Sequence, residues 1–382
     1  MMQPLATHSD GTKGWDNGFD RRPTAPKVAA KNGWHLATED APSECEHLQF
    51  SSLLEVITKI YGNTRLLTHP YVIGVTGSVG KTTTVAFIEH LLSEANRNVV
   101  RFYSKRLTPL SVMCHYINRV EQGTEFVVME YSAYLRDHVD VLSKILPPNL
   151  AFLTNIYETH MNPGMFESRA DILSSKIRVK KPGTQAFVNA SLENLSAEDI
   201  VDWNRFEVIN PKVINLNLPP TPRSAELYTV GGIVAQQVGI SRDLLDHAYS
   251  SFLPTEKRIL LLQVDGRNIF YHGETSGGSR LWSWFETTNG EVPSLFIDEL
   301  NFADEDPEGF KNLLSAVFSS DKTYVLDIPT NKSRLNIKAN FLSISDFCQK
   351  LREAKGYIVY HKALSARYSN FDPYGYLRAL VH

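Results

Sequence analysis

The sequence predicts an α/β protein built on a mostly parallel sheet, with a second and smaller α/β domain after it. Two observations carry this prediction. Short apolar runs rich in β-branched residues alternate with stretches of helical periodicity, the pattern of a parallel sheet with helices on both faces. A glycine turn, Gly77-Ser78-Val79-Gly80-Lys81-Thr82, joins the first of those runs to a helical stretch.

Residues 1–46 are rich in Pro, Gly, Lys, Asp and His and poor in aliphatic residues. Such a segment buries too little apolar surface to offset its ordering entropy, so a mobile arm is expected there. Trp15 and Trp34 leave docking onto a partner protein open as a role for it. From Phe50 to Tyr61, Leu53, Leu54, Val56, Ile57 and Ile60 recur at helical spacing. Tyr71 to Val75 then reads as a buried strand and Thr83 to Glu94 as a helix. Further strands are expected at Val99–Tyr103, Phe126–Met129, Leu150–Thr154 and Ala186–Asn189, with a helix at Arg169–Val179. A boundary near residues 253–257 divides a central domain, 47–254, from a second, 255–382. In the latter, strands are expected at Ile259–Val264, Asn268–Tyr271, Leu295–Ile297, Tyr324–Leu326 and Tyr357–Tyr360, and helices at Pro307–Phe318 and Ser345–Ala354.

Composition narrows the function classes. A net charge of −3 over 382 residues argues against a general affinity for nucleic acid, so any anion site must be local. Cys45, Cys114 and Cys348 lie far apart without metal-finger spacing and read as reduced thiols. No run approaches the length of a membrane span, and the first residues lack a signal-peptide core; the expected compartment is the cytoplasm.

The glycine turn has the parts of a phosphate cradle. Gly77 and Gly80 allow backbone N–H groups to approach phosphate oxygens, and the helix N-terminus adds partial positive charge. Lys81 suits the β/γ-phosphates, and the Thr82 hydroxyl suits Mg²⁺. Val75 stands where the strict motif has its first glycine, with Gly74 one residue early. The bland alternative is a glycine turn with a solvated lysine. Kinases, ATPases and ligases all use such a loop, so the reaction must be read from residues downstream.

Those residues resemble the Mur ligase superfamily, especially its dipeptide-adding cell-wall ligases. Thr76-Gly77-Ser78-Val79-Gly80-Lys81-Thr82-Thr83 looks like the family's loop. Phe126 to Glu130 is a strand ending in a carboxylate, and Pro148 to Ile156 resembles the P-x-x-A-x-x-T-N-I strand. His160 follows at family spacing, then Glu167 and Lys176 in the next helix, then Gly183 and Ala186 to Ala190. More loosely, Ala235 to Arg258 and Tyr357 to Ala363 resemble the last central helix and a worn strand of a Rossmann-like C-terminal domain.

The resemblance implies an ATP- and Mg²⁺-dependent ligase that joins a carboxylate to an amine or amino acid through an acyl phosphate. It implies Lys81, Glu130, His160 and Lys176 as catalytic residues, with Lys176 a candidate for carbamoylation. Thr82, Glu130 and His160 are implied as metal ligands. Thr76 to Thr83, Asn155 and Arg258 are implied as nucleotide contacts.

There are departures too. Lys105-Arg106-Leu107-Thr108-Pro109 lacks the family's N-x-x-G-x-P residues. The adenine-holding His and Asn are absent around Arg223 to Tyr228, Thr159 replaces an aspartate, and His272 to Gly278 replaces a third-domain element. The polar arm is too short for the uridine-nucleotide domain of most cell-wall ligases. An unusual acyl substrate is therefore expected, a small metabolite, a carrier-bound group or another protein. Two other classes stay open: a nucleotide-binding scaffold or regulatory subunit without ligation, and a small-molecule kinase or ATPase.

Overall fold

The computed structural model describes residues 5–7, 13–15, 53–102, 107–133, 135–157, 166–192, 200–218, 220–254, 260–264, 267–272, 294–298, 320–334, 338–354 and 358–361, with Tyr376 and Ala379 besides. The chain divides into two compact units. One comprises Met1–Gly77, Leu92–Thr154 and Leu173–Phe206, the other Ser78–Leu91, Asn155–Ile172 and Glu207–His382. Most of the arm expected at 1–46 lies outside the described residues, as do Cys45 and the helix expected at Pro307–Phe318. Within that arm, β1 (Leu5–Thr7) pairs antiparallel with β2 (Lys13–Trp15).

The first unit is organised by a six-stranded sheet. Its strands are β3 (Tyr71–Thr76), β4 (Val99–Phe102), β5 (Phe126–Glu130), β6 (Leu150–Leu153), β7 (Gln185–Asn189) and β8 (Asn204–Phe206), in the order β4-β5-β3-β6-β7-β8. Every neighbouring pair is parallel, as alternation of strand and helix requires. Val72, Ile73 and Val75 on β3, Val127 to Met129 on β5 and all of β6 are buried. These strands read as unbroken apolar runs because helices cover both faces of such a sheet. Each fully buried Val, Ile or Leu contributes about 1.5–3 kcal/mol relative to exposure.

The winding of the sheet sets where a ligand goes. From β3 the chain passes out to β4 and returns to β5 beside β3; it then crosses to β6 on the other flank. The direction reverses at β3, and the carboxyl ends at such a reversal leave a crevice where open parallel sheets bind ligands. Val75 pairs with Glu130 and Thr76 with Leu153, so the end of β3 is gripped from both sides.

Gly74, midway along β3, answers a packing demand. A Cβ there would stand 2.6 Å from the Tyr131 ring. Tyr131 is fully buried, and its hydroxyl donates to the Leu146 carbonyl. The early glycine of the loop motif therefore makes room for an aromatic ring, whereas the turn's own glycines, Gly77 at φ 152° and Gly80 at φ 83°, supply left-handed backbone.

The second unit holds another six-stranded sheet, from β9 (Leu260–Val264), β10 (Arg267–His272), β11 (Ser294–Ile297), β12 (Thr323–Leu326), β13 (Asn340–Leu342) and β14 (Ile358–His361). The order is β13-β12-β11-β14-β10-β9. Five strands are parallel, but β9 and β10 form an antiparallel pair, unlike the alternating set expected there. Two residues separate them, far too few for a crossover, so only a hairpin can form. Ile269, Tyr271, Phe296, Leu326 and Phe347 form the core of this sheet, the last from the helix Ile344–Glu353.

The same unit contains most of α2 (Lys81–Glu94), together with α6 (Pro222–Val238) and α7 (Arg242–Ser251). Elsewhere in the chain α1 is Leu53–Leu67, α3 Pro109–Arg119, α4 His138–Ile145 and α5 Arg169–Lys176. Phe87 of α2 meets Tyr249 and Phe252 edge-on, at centroid separations of 5.9 and 5.2 Å. Leu227, Tyr228 and Leu245 complete that cluster. Pro222 and the Thr221 hydroxyl, which accepts from the Ser224 N–H, start α6, and Gly239 in a left-handed conformation ends it. The packing brings the first turn of α6 to the start of α2.

Replacing Gly74 by Ala is expected to destabilise the protein by about 1–3 kcal/mol, since a ring with a fixed hydroxyl cannot yield. Chemical denaturation measures it; a variant as stable as wild type would show that the ring moves freely.

Candidate functional site

The expected site residues fall into two groups, one in each unit, joined through the Gly77–Ser78 peptide bond. In the first, Thr76 Oγ1 donates to the Tyr131 carbonyl at 2.8 Å, and Thr154 donates to Thr76 O through its N–H at 3.1 Å and its hydroxyl at 3.2 Å. Glu130 ends β5 half-buried, its carboxylate accepting from Ser132 Oγ at 2.6 Å. Lys176, the last residue of the helix Arg169–Lys176, is 2% exposed, and its Nζ donates to Gly77 O at 2.8 Å. Thr76, Gly77, Glu130 and Lys176 are thus gathered at the carboxyl end of β3. Glu167 stands just before that helix and not within it, its N–H bonded to Asp171.

In the second group the loop is shaped by one side chain. Asn155 Oδ1 accepts from the N–H of Ser78 at 3.1 Å and of Val79 at 2.8 Å. Its Nδ2 donates to Val79 O at 2.9 Å and to Glu226 Oε2 at 3.3 Å. All four hydrogen-bonding positions of the carboxamide are used. The Ser78 hydroxyl accepts from Tyr157 N–H at 2.9 Å and donates to Tyr157 O at 3.1 Å. Lys81 folds back along the loop, its Nζ donating to Ser78 O at 3.1 Å. Thr82 is buried and Thr83 partly so, in the first turn of α2. That turn carries no acidic residue, so the partial positive charge at its N-terminus faces no competing carboxylate on the helix itself. Gly80, Thr83 and Thr84 line a cleft with Arg223, Ser224 and Leu227.

His160 and Arg258 lie outside the described residues. Among the described residues no group of three or more His, Cys, Asp and Glu side chains is placed to hold a metal. No helix among them is long and apolar enough to cross a membrane.

The family model described as the Mur ligase middle domain matches residues 75–204, which hold the loop, β5, β6, Asn155 and Lys176. This stretch is similar to the middle domain of the Mur ligases. A UDP-N-acetylmuramoyl-tripeptide–D-alanyl-D-alanine ligase of Bacillus subtilis (strain 168) is 33% identical over 111 residues, covering 28% of this chain and 23% of its own length. The chain thus spans about a quarter of that curated relative, and 30% of the corresponding Mycobacterium leprae enzyme.

The Mur ligase fold extends further. The structure of Thermotoga maritima MurF in complex with ADP superposes with TM-score 0.67 at 17% identity, covering 85% of this chain and 83% of that one. A Yersinia pestis bifunctional folylpolyglutamate synthase/dihydrofolate synthase, complexed with AMPPNP and Mn ion, gives TM-score 0.60 at 14% identity, covering 85% and 93%. Identities this low establish shared fold alone.

Within the Mur ligase frame the structure adds residues that the sequence did not single out. Arg223 and Glu226 face each other across one turn of α6 at 2.5 Å, and Arg223 Nη2 donates to the Tyr157 hydroxyl at 2.8 Å. In the sequence Arg223 marks only where the family's histidine and asparagine are missing, and the i,i+3 spacing of opposite charges is the available signal for the pair. Of the departing stretch 105–109, Leu107 and Thr108 lead into the helix Pro109–Arg119. Pro109 stands at its first position, and Thr108 and Ser111 form a capping box.

His138 is the other addition. It opens the helix His138–Ile145, and its ring nitrogens are sealed from solvent although the residue as a whole is only partly buried. Burial lowers its pKa from 6.5 to about 4; a hydrogen bond with the Leu107 backbone opposes this, and the charge of Lys176 adds to it.

Between pH 6.5 and about 4 the unfolded chain takes up a proton that the folded imidazole refuses. Stability is therefore complete above pH 6.5 and falls as the pH drops through that window, by up to about 3 kcal/mol. Urea denaturation across it should show a flatter pH dependence in His138→Gln than in wild type; equal slopes would remove His138 from the acid-sensitive groups.

Proposed function

We propose that this chain is an ATP-dependent carboxylate–amine ligase of the ADP-forming type, acting on an acyl substrate other than a uridine-nucleotide peptide. The observation that carries the reading is the loop Gly77–Thr82, fixed by Asn155 at Ser78 and Val79 and by Lys176 at Gly77. Its place at the reversal point of a parallel sheet supports nucleotide binding. Its place in a Mur ligase middle domain supports ligation over plain ATP hydrolysis.

In the reaction, a substrate carboxylate oxygen attacks the γ-phosphorus of ATP. The new O–P bond forms as the bond to the β,γ-bridging oxygen breaks, and ADP leaves. The amine then attacks the acyl carbon, phosphate departs with the C–O bond pair, and the nitrogen gives up a proton to leave an amide. The first step brings two anions together. Unit charges about 4 Å apart repel by about 4 kcal/mol at an effective dielectric of about 20.

Lys81 answers that repulsion by leaving Ser78 O for the β/γ-phosphates, as the N–H groups opening α2 take the remaining oxygens. Thr82, at the start of α2, offers a hard oxygen donor that would suit Mg²⁺, as does Glu130 at the end of β5, and the ion would supply further charge neutralisation on the triphosphate. Ser132 orients the Glu130 carboxylate for that task. Lys176 has two roles open to it. Unmodified, it pins Gly77; carbamoylated, it offers an anionic oxygen in place of an ammonium.

A second reading, a nucleotide-binding subunit that does not ligate, is favoured by one observation: the Lys176 amine is committed to Gly77 O. Phosphate release with ATP, Mg²⁺ and panels of carboxylates and amines separates the readings. Release that requires both an acid and an amine supports ligation. Release with neither makes the chain an ATPase, and ATP binding without release makes it a scaffold.

Lys81→Ala is expected to lower turnover by about 100-fold or more, through loss of charge stabilisation on the transferring phosphoryl group. Lys176→Ala is expected to impair turnover more than it weakens ATP binding, with partial recovery from added formate or acetate. Unchanged turnover in the first variant would remove Lys81 from the phosphate site; unchanged turnover in the second would leave Lys176 a purely structural residue.

A further inference from the structure

We propose that Arg223 and Glu226, with the Tyr157 hydroxyl, are positioning residues that set the phosphate loop by fixing which way the Asn155 amide faces. This rests on the nucleotide-binding reading above. The contacts form a closed ring. Ser78 and Val79 donate to Asn155 Oδ1, and Asn155 Nδ2 donates to Glu226. Arg223 Nη1 donates to Glu226 and its Nη2 to Tyr157 OH. The Tyr157 backbone returns to the Ser78 hydroxyl.

A carboxamide is nearly symmetric in shape but not in polarity. Flipped, Asn155 would turn an NH₂ group onto two backbone N–H donors and leave its oxygen facing a carboxylate and the Val79 carbonyl. Glu226 and Val79 O both accept from Nδ2, and Glu226 does so with a full charge. That bond also polarises the amide, making Oδ1 the better acceptor for Ser78 and Val79.

Glu226 in turn depends on Arg223. It is 3% exposed, and a buried carboxylate is stable only when paired and hydrogen-bonded. Arg223 is held beside it by the Tyr157 hydroxyl, and its guanidinium lies 5.4 Å from the centroid of the same ring. Every member of the ring leans on the next. None of the three need touch the phosphates, so their effect reaches ATP through Asn155 and the loop.

The test uses the full chain and calorimetric titration with ATP·Mg²⁺. Tyr157→Phe removes one hydroxyl at a partly buried position, and Glu226→Gln removes one charge while keeping shape. Each single variant is expected to raise the ATP dissociation constant about tenfold. The double variant is also expected to lose about tenfold, where independent contributions would multiply to about a hundredfold. General destabilisation of the fold would change melting temperature without producing this non-additive loss of affinity.

Should Glu226→Gln fail to fold, Arg223→Gln paired with Tyr157→Phe makes the same cycle. Wild-type affinity in the single variants, or losses that multiply, overturns the positioning ring while leaving nucleotide binding intact. A wild-type chain that does not bind ATP overturns both.

Discussion

The Asn155 carboxamide is the contact on which the candidate site depends. A loop that offers its N–H groups to phosphate has few internal hydrogen bonds of its own, and its left-handed glycines leave it conformationally free. Asn155 removes that freedom at Ser78 and Val79 with bonds of 3.1, 2.8 and 2.9 Å. It can do so because it follows β6, whose pairing with β3 at Thr76 and Leu153 fixes where the strand ends. Strand register, side-chain amide and loop backbone form one chain of cause.

A second constraint acts from the sheet. The buried runs of β3, β5 and β6 leave no slack at the carboxyl end of β3, and Gly74 admits the Tyr131 ring against the strand. Tyr131 N–H donates back to Val75 O at 2.8 Å, and Thr76 Oγ1 to Tyr131 O, so the residue after Glu130 is tied to β3. The position of Glu130 is therefore a consequence of core packing. Lys176 adds a long-range tie, joining the end of a helix to Gly77.

Much of this was legible in the sequence, for physical reasons that differ by element. β3, β5, β6 and β7 were readable because strands covered on both faces must be apolar throughout. The turn at 77–82 was readable because left-handed backbone calls for glycine, and the spacing to Asn155 and Lys176 followed a family pattern. The antiparallel β9–β10 pair was missed, since pairing direction follows from connection length and not from periodicity. β8 and β13 are three residues each, too short for a pattern to emerge. The Arg223–Glu226 pair and the sealed ring of His138 were invisible as functional features. Both depend on groups far apart in the chain, Tyr157 and Asn155 for the one and Lys176 for the other, and only folding brings these together.

The central claim is that the turn at 77–82 receives the triphosphate. The most direct measurement is a titration of glycine-¹⁵N-labelled protein with ATP·Mg²⁺, following the backbone amide resonances of Gly77 and Gly80. The account predicts that both shift saturably, with one affinity, while Gly183 and Gly239 stay in place. Resonances of Gly77 and Gly80 that do not move at saturating nucleotide would contradict it.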